Sequence, residues 1–117
     1  MPFQAKTSET HQIEARKLLA RLTAQTLRTL TYEKPNTVMG LEGSKVRVRT
    51  NESPPDGRLA PVAYVQEAID TLYREGELRI DKATLGHRRT AFVGAVLREI
   101  PGVEVLTRPQ RVRLKRN

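Results

Sequence analysis

Two short runs hold the densest positive charge in the chain: Lys45-Val-Arg-Val-Arg49 and Arg111-Val-Arg-Leu-Lys115. In an extended strand, successive side chains point to opposite faces. Each run therefore presents three cations on one face. Val46 and Val48, or Val112 and Leu114, lie on the other. No acid interrupts either cationic face. If the runs are neighbours, six cations share one patch. Like charges placed opposite each other disfavour the sheet. A polyanionic backbone would relieve that repulsion and release counterions. One such run alone suits a solvated face that guards a sheet edge. Two matched runs point to phosphate binding.

The whole chain agrees with that chemistry. Its 117 residues carry 21 Lys and Arg against 13 Asp and Glu, a net charge of +8 that points to a polyanion, nucleic acid being the commonest, although solubility alone also explains moderate charge. The excess lies toward the two ends: residues 1–36 carry +3 and residues 101–117 carry +4, whereas residues 61–100 are neutral. With no Cys, a disulfide scaffold and a Cys-built zinc site are excluded. Phe3, Tyr32, Tyr64, Tyr73 and Phe92 are too few for a base-stacking platform. No apolar run approaches the roughly 20 residues of a membrane span, and no apolar signal core follows Met1. The expectation is one soluble, cytoplasmic domain spanning residues 1–117 that makes no membrane contact.

Catalytic chemistry finds little to stand on. A metal-dependent nuclease needs clustered carboxylates, or His beside an acid. Asp70, Glu75, Glu77 and Asp81 alternate with Arg74, Arg79 and Lys82 and read as solvated ion pairs. No phosphate-binding loop ends in Gly-Lys-Ser/Thr. Thr84 and Thr90 flank His87 without an evident orienting acid beyond Asp81, and His11 is far away in sequence. The chain is expected to be non-catalytic, with no metal and no cofactor.

The elements that must position these cations follow from periodicity. A helix is predicted from about Ser8 to Leu30, on the spacing of Ala15, Leu18, Leu19, Leu22, Leu27 and Leu30. Lys45–Thr50 is a strand, and Val38–Leu41 is a short one before it. Asn51-Glu-Ser-Pro-Pro-Asp-Gly57 is a loop. A second helix runs from Pro61 to Glu75 and stops at Gly76. Leu78 and Ile80 suggest a strand. A third helix covers Thr90–Ile100, and a hairpin joins residues 103–107 to 111–115 around Arg108-Pro109-Gln110. Gly94 costs about 1 kcal/mol inside a helix relative to Ala. Close approach of another helix, or of DNA, would account for it, and packing against the first helix is the favoured reason.

This order of elements resembles a winged helix, an α+β fold with three helices, a small antiparallel sheet and a C-terminal hairpin. The resemblance implies that the strand after the first helix pairs with the last strand, which would put Lys45–Arg49 beside Arg111–Lys115. It also implies that the helix from Thr90 reads DNA, with Thr90, Ala91, Gly94, Ala95 and Arg98 outward and Arg88 and Arg89 at its positive end. Two stretches depart from the plan: Glu77–Arg89 is long for the turn between paired helices, and residues 34–44 have no place in it. Met39-Gly-Leu-Glu-Gly-Ser-Lys45 and Gly86-His-Arg-Arg-Thr-Ala-Phe-Val-Gly-Ala-Val-Leu97 resemble small accessory domains of bacterial modification-dependent HNH restriction enzymes. That resemblance covers residues 36–105. It implies a DNA-reading part sensitive to methylated cytosine, without the nuclease motif.

The expected function is a non-catalytic double-stranded DNA-binding module of a restriction or defence protein. Phosphate contacts would come from Lys45, Arg47, Arg49, Arg88, Arg89, Arg108, Arg111, Arg113 and Lys115. Base contacts would come from Thr90 to Arg98 and the turn at Arg108–Arg111. Rival readings are a protein-interaction module, in which the Leu-rich first helix pairs with a second copy or a parent chain, a transcriptional regulator, and a basic domain that binds structured RNA.

Overall fold

The computed structural model describes residues 14–30, 33–86 and 89–115. Helix α1 spans Ala15–Leu22 and buries Ala15, Leu18, Leu19 and Leu22, a stripe at helical spacing. Glu14 gives it no side-chain cap, and the Gln66 side-chain oxygen accepts the Ala15 N–H at 2.8 Å instead.

The expected helix to Leu30 ends eight residues early, at Leu22. The Thr23 hydroxyl donates to the Leu19 carbonyl, and Ala24 turns the chain at φ 72°. The Ala24 N–H then donates to the Val38 carbonyl at 2.6 Å, and Val38 N–H donates to Gln25 at 3.0 Å. Strand β1, Thr26–Arg28, follows with Leu27 buried between two exposed residues. Leu27 thus fits a strand as well as a helix, and the β-branched threonines around it favour the strand. The part of the expected helix over residues 8–13 lies outside the described residues.

Strands β2 (Pro35–Glu42), β3 (Lys45–Thr50) and β4 (Arg58–Pro61) complete an antiparallel meander in the order β1-β2-β3-β4. The short strand expected at 38–41 is therefore eight residues long. One face of this sheet, with Leu27, Val38, Val46, Val48 and Ala60, lies in the core.

Helix α2 (Val62–Glu75) packs against both sheets and buries Val62, Val65, Ala68, Ile69 and Leu72. Pro61 ends β4 and precedes the helix. Gly76 stops it at φ 83°, in the left-handed region that lacks a Cβ penalty only for glycine, with its N–H on the Leu72 carbonyl at 2.7 Å.

Strand β5 (Glu77–Arg79), helix α3 (Lys82–Leu85), helix α4 (Thr90–Leu97), strand β6 (Val103–Leu106) and strand β7 (Arg111–Leu114) follow. The three strands form a second antiparallel sheet in the order β5-β7-β6. The β6–β7 hairpin is as expected, and its turn contains a cis Arg108–Pro109 bond. The helix expected to reach Ile100 ends at Leu97, where tighter bonds from Glu99 to Val96 and from Ile100 to Leu97 close it.

The fold is α+β, with four helices among the described residues and two antiparallel sheets. The expectation of three helices on one small sheet is corrected accordingly. A winged-helix topology over the whole chain is not evident, because β3 and β7 belong to different sheets. No helix among the described residues is long and apolar enough to cross a membrane.

Candidate nucleic-acid interface

The two cationic runs are not neighbours. β3 pairs with β2 and β4, and β7 pairs with β5 and β6. The six-cation patch does not form, and the two trios have different surroundings.

The trio on β3 keeps the alternation read from sequence, with Val46 and Val48 buried, Lys45 and Arg49 exposed and Arg47 half-buried. Register extends this outer face across the sheet. Arg49 lies opposite Thr37, which lies opposite Thr26, and the two threonine hydroxyls meet at 2.9 Å. Arg28, two residues from Thr26, shares the face. Four cations (Arg28, Lys45, Arg47 and Arg49) thus stand there with Glu42 as the acid on these strands, and the Asp56 carboxylate beyond them also acts on Arg47.

Arg47 grips Glu42 with two nitrogens, Nη2 reaching Oε1 at 3.0 Å, and donates from Nη1 to the Asp56 carbonyl at 3.1 Å. The hydrogen bond from Arg47 holds the Glu42 carboxyl below its usual range, and the same bond raises the Arg47 guanidinium. Lys45 and Arg49 have no ion pair among the described residues. Arg28 donates to the Glu33 carbonyl at 3.3 Å.

The trio on β7 is largely committed to its own sheet. Arg111 pairs with Glu77 at 3.3 Å and donates to the Pro109 carbonyl at 2.8 Å, bracing the turn. Arg113 pairs with Glu104 at 3.2 Å. Both acids sit opposite Arg113 in register, on the strands flanking β7. Sequence reading paired cation with cation and missed these partners, because strand order decides which residues face each other. Arg108, at the turn with φ 64°, and Lys115 are exposed and without an ion pair among the described residues.

Helix α4 does not present a reading face. Phe92 through Leu97 are all buried, including Gly94 and Ala95, which were expected outward. A Cβ on Gly94 would sit 2.8 Å from Ile80 Cγ2 and 3.3 Å from Leu30 Cδ1. Tight packing therefore explains the glycine, with Leu30 beyond β1 as one partner. Arg98 donates to the Arg28 carbonyl at 3.3 Å and reaches Glu33 at 3.4 Å, tying α4 to the first sheet. Arg89 sits at φ 57° and donates to the Leu59 carbonyl at 3.0 Å. Ala91 is exposed and Thr90 half-buried. Arg88 and His87 lie outside the described residues.

The α1 stripe, which the rival reading assigns to a partner, is buried in this chain's own core. Among the described residues, no group of three or more His, Asp or Glu could hold a metal ion. Arg28 was missed because it was assigned to a helix. The exposed–buried–exposed run Thr26-Leu27-Arg28 was the available signal.

Compared with known proteins, the chain matches no family model, no curated protein and no solved structure.

Proposed function

We propose that the protein is a non-catalytic double-stranded DNA-binding module that holds phosphates on the outer face of the β1–β4 sheet. The observation that carries this reading is the face itself: Arg28, Lys45, Arg47 and Arg49 beside a pair of threonine hydroxyls, with Glu42 the acid among them. Cations at alternate positions of a strand are about 6.7 Å apart. That is twice the roughly 3.4 Å axial rise per phosphate of one DNA strand. Arginine, lysine and threonine are the usual phosphate partners.

The winged-helix plan is retained in a shifted form, over residues 62–115. Its support is the order α2, β5, α3, α4, β6, β7, with the last strand hydrogen-bonded to the strand after α2. In this frame Glu77–Arg89 contains a strand and a short helix, and residues 34–44 belong to the other sheet. Leu30 and Ile80 cover Gly94, so DNA is held by the sheet face and by Arg108 in the hairpin, and α4 serves as a core helix.

With Arg47 held by Glu42, four phosphate contacts from Arg28, Lys45, Arg49 and Arg108 give a salt slope of about −3.5 in log affinity against log salt. Replacing Lys45 and Arg49 with Ala flattens the slope by about 1.8. The charge-matched pair Arg74→Ala and Lys82→Ala leaves it unchanged. Equal slopes for the two double variants would remove the outer face from the reading. Methylated and unmethylated duplexes of one sequence, run side by side, test the modification dependence that the resemblance implies.

A further inference from the structure

Between the sheets runs a cleft of two connected lobes that the outer-face reading leaves without a role. The larger is about 360 Å³, within the size range of small-molecule sites. Leu30, Pro35, Ile80 and Ala91 form its apolar walls. The smaller is about 190 Å³ and is lined by Arg58, Arg89 and Phe92. Asn36, Thr50 and Glu52 line both lobes and join them.

Asn36 is the informative residue. It is 5% exposed, so its carboxamide is among the most buried polar groups of the described residues. Its nitrogen reaches the Lys34 carbonyl at a long 3.4 Å, and its oxygen accepts no hydrogen bond among the described residues. No side-chain oxygen or nitrogen there is fully buried without a partner, so the oxygen keeps some accessible surface, and Asn36 lines both lobes of the cleft. A mostly buried amide with an unpartnered acceptor beside a cleft suits a ligand carrying a donor.

Arg58 supplies a charge. It lies opposite Val48 on the cleft side of the sheet and is exposed, and its side chain has no ion pair or hydrogen bond among the described residues. Arg89 brings a second guanidinium. The Glu52 carboxylate also lines the cleft, with Lys34 Nζ at 3.5 Å to offset it.

We infer that this cleft binds a mononucleotide unit, with the flat ring between the apolar walls and on the Asn36 carboxamide, and the phosphate on Arg58 and Arg89. The unit can come from a free nucleotide or from a nucleotide extruded from a bound strand. The inference does not rest on the outer face.

Calorimetric titration with free 5′-mononucleotides, the matching nucleosides and inorganic phosphate tests it, together with competition by duplexes with and without one unpaired nucleotide. A nucleotide is expected to bind more tightly than its nucleoside or phosphate alone. Arg58→Ala, which removes an exposed side chain without a partner, is expected to weaken the nucleotide about tenfold and leave the nucleoside unchanged. Ala91→Trp, which fills the larger lobe from an exposed position, is expected to abolish both. Lys45→Ala with Arg49→Ala leaves nucleotide binding intact, which separates this site from the outer face. Competition by the unpaired duplex alone assigns the ligand to an extruded nucleotide. Saturable binding of neither a free nucleotide nor an unpaired duplex overturns the inference, as does binding that Arg58→Ala and Ala91→Trp leave unaltered.

Discussion

Replacing Gly94 with Ala tests how α4 packs against Ile80 and Leu30. In an isolated helix the change is favourable by about 1 kcal/mol. Here the new methyl group would sit 2.8 Å from Ile80 Cγ2 and 3.3 Å from Leu30 Cδ1. Carbon contacts are optimal near 3.5–4.0 Å, so Ile80 would have to retreat by about 0.7 Å. Ile80 has little room to do so. It is 6% exposed, its Cγ2 is fixed at a branched Cβ, and its N–H donates to the Gln110 carbonyl at 3.0 Å. Overpacking of this kind costs about 1–3 kcal/mol. Set against the helix-propensity gain, the expected net loss is about 0–2 kcal/mol, at roughly 4 °C of Tm per kcal/mol for a domain of this size. Urea denaturation measures it through the midpoint at constant slope. In a background of Ile80→Ala, the clashing carbon is gone, and Gly94→Ala should become neutral or stabilising. That sign change is the coupling between the two sites. A single variant that simply gains the helix-propensity increment would refute the packing argument.

Three further outcomes are expected. Glu42→Gln frees Arg47, which keeps its bond to the Asp56 carbonyl, and anisotropy should show tighter duplex binding with a salt slope steeper by about 0.9. Asp81 accepts the Thr84 N–H at 2.8 Å, and that bond holds its carboxyl below the usual range. Its contribution to stability is therefore present above the ordinary Asp value and lost as pH falls through the lowered one. Asp81→Asn keeps a capping side chain but cannot titrate, so the Tm difference between parent and variant should be flat above about pH 5 and shrink below about pH 4. Leu19 is 0% exposed, so Leu19→Ala should cost about 2–5 kcal/mol in denaturation without changing sedimentation. A partner-facing leucine would do the reverse.

The parts of the fold that sequence reveals are those governed by local period. Val62, Val65, Ile69 and Leu72 could only be one helical stripe, and Gly76 could only be its end. Lys45 to Thr50 alternates too strictly for anything but a strand. Leu27 and Leu30 misled, because spacings of three satisfy a helix even where Ala24 turns the chain into a strand. Strand order is a long-range property, and no local pattern told β3 from β5 as the partner of β7. The site suffered in the same way. Lys45, Arg47 and Arg49 stayed on one face because that face is local. Arg111 and Arg113 acquired Glu77 and Glu104 from strands separated in sequence. Asn36 and Arg58 carry no signal until the two sheets enclose the cleft between them.

Amide chemical-shift mapping during titration with a short duplex tests the outer face most directly. The largest changes are expected at Thr26, Arg28, Thr37, Arg47 and Arg49, fading as salt is raised. Changes confined to the β6–β7 hairpin, or none at low salt, would rule out phosphate binding on this face.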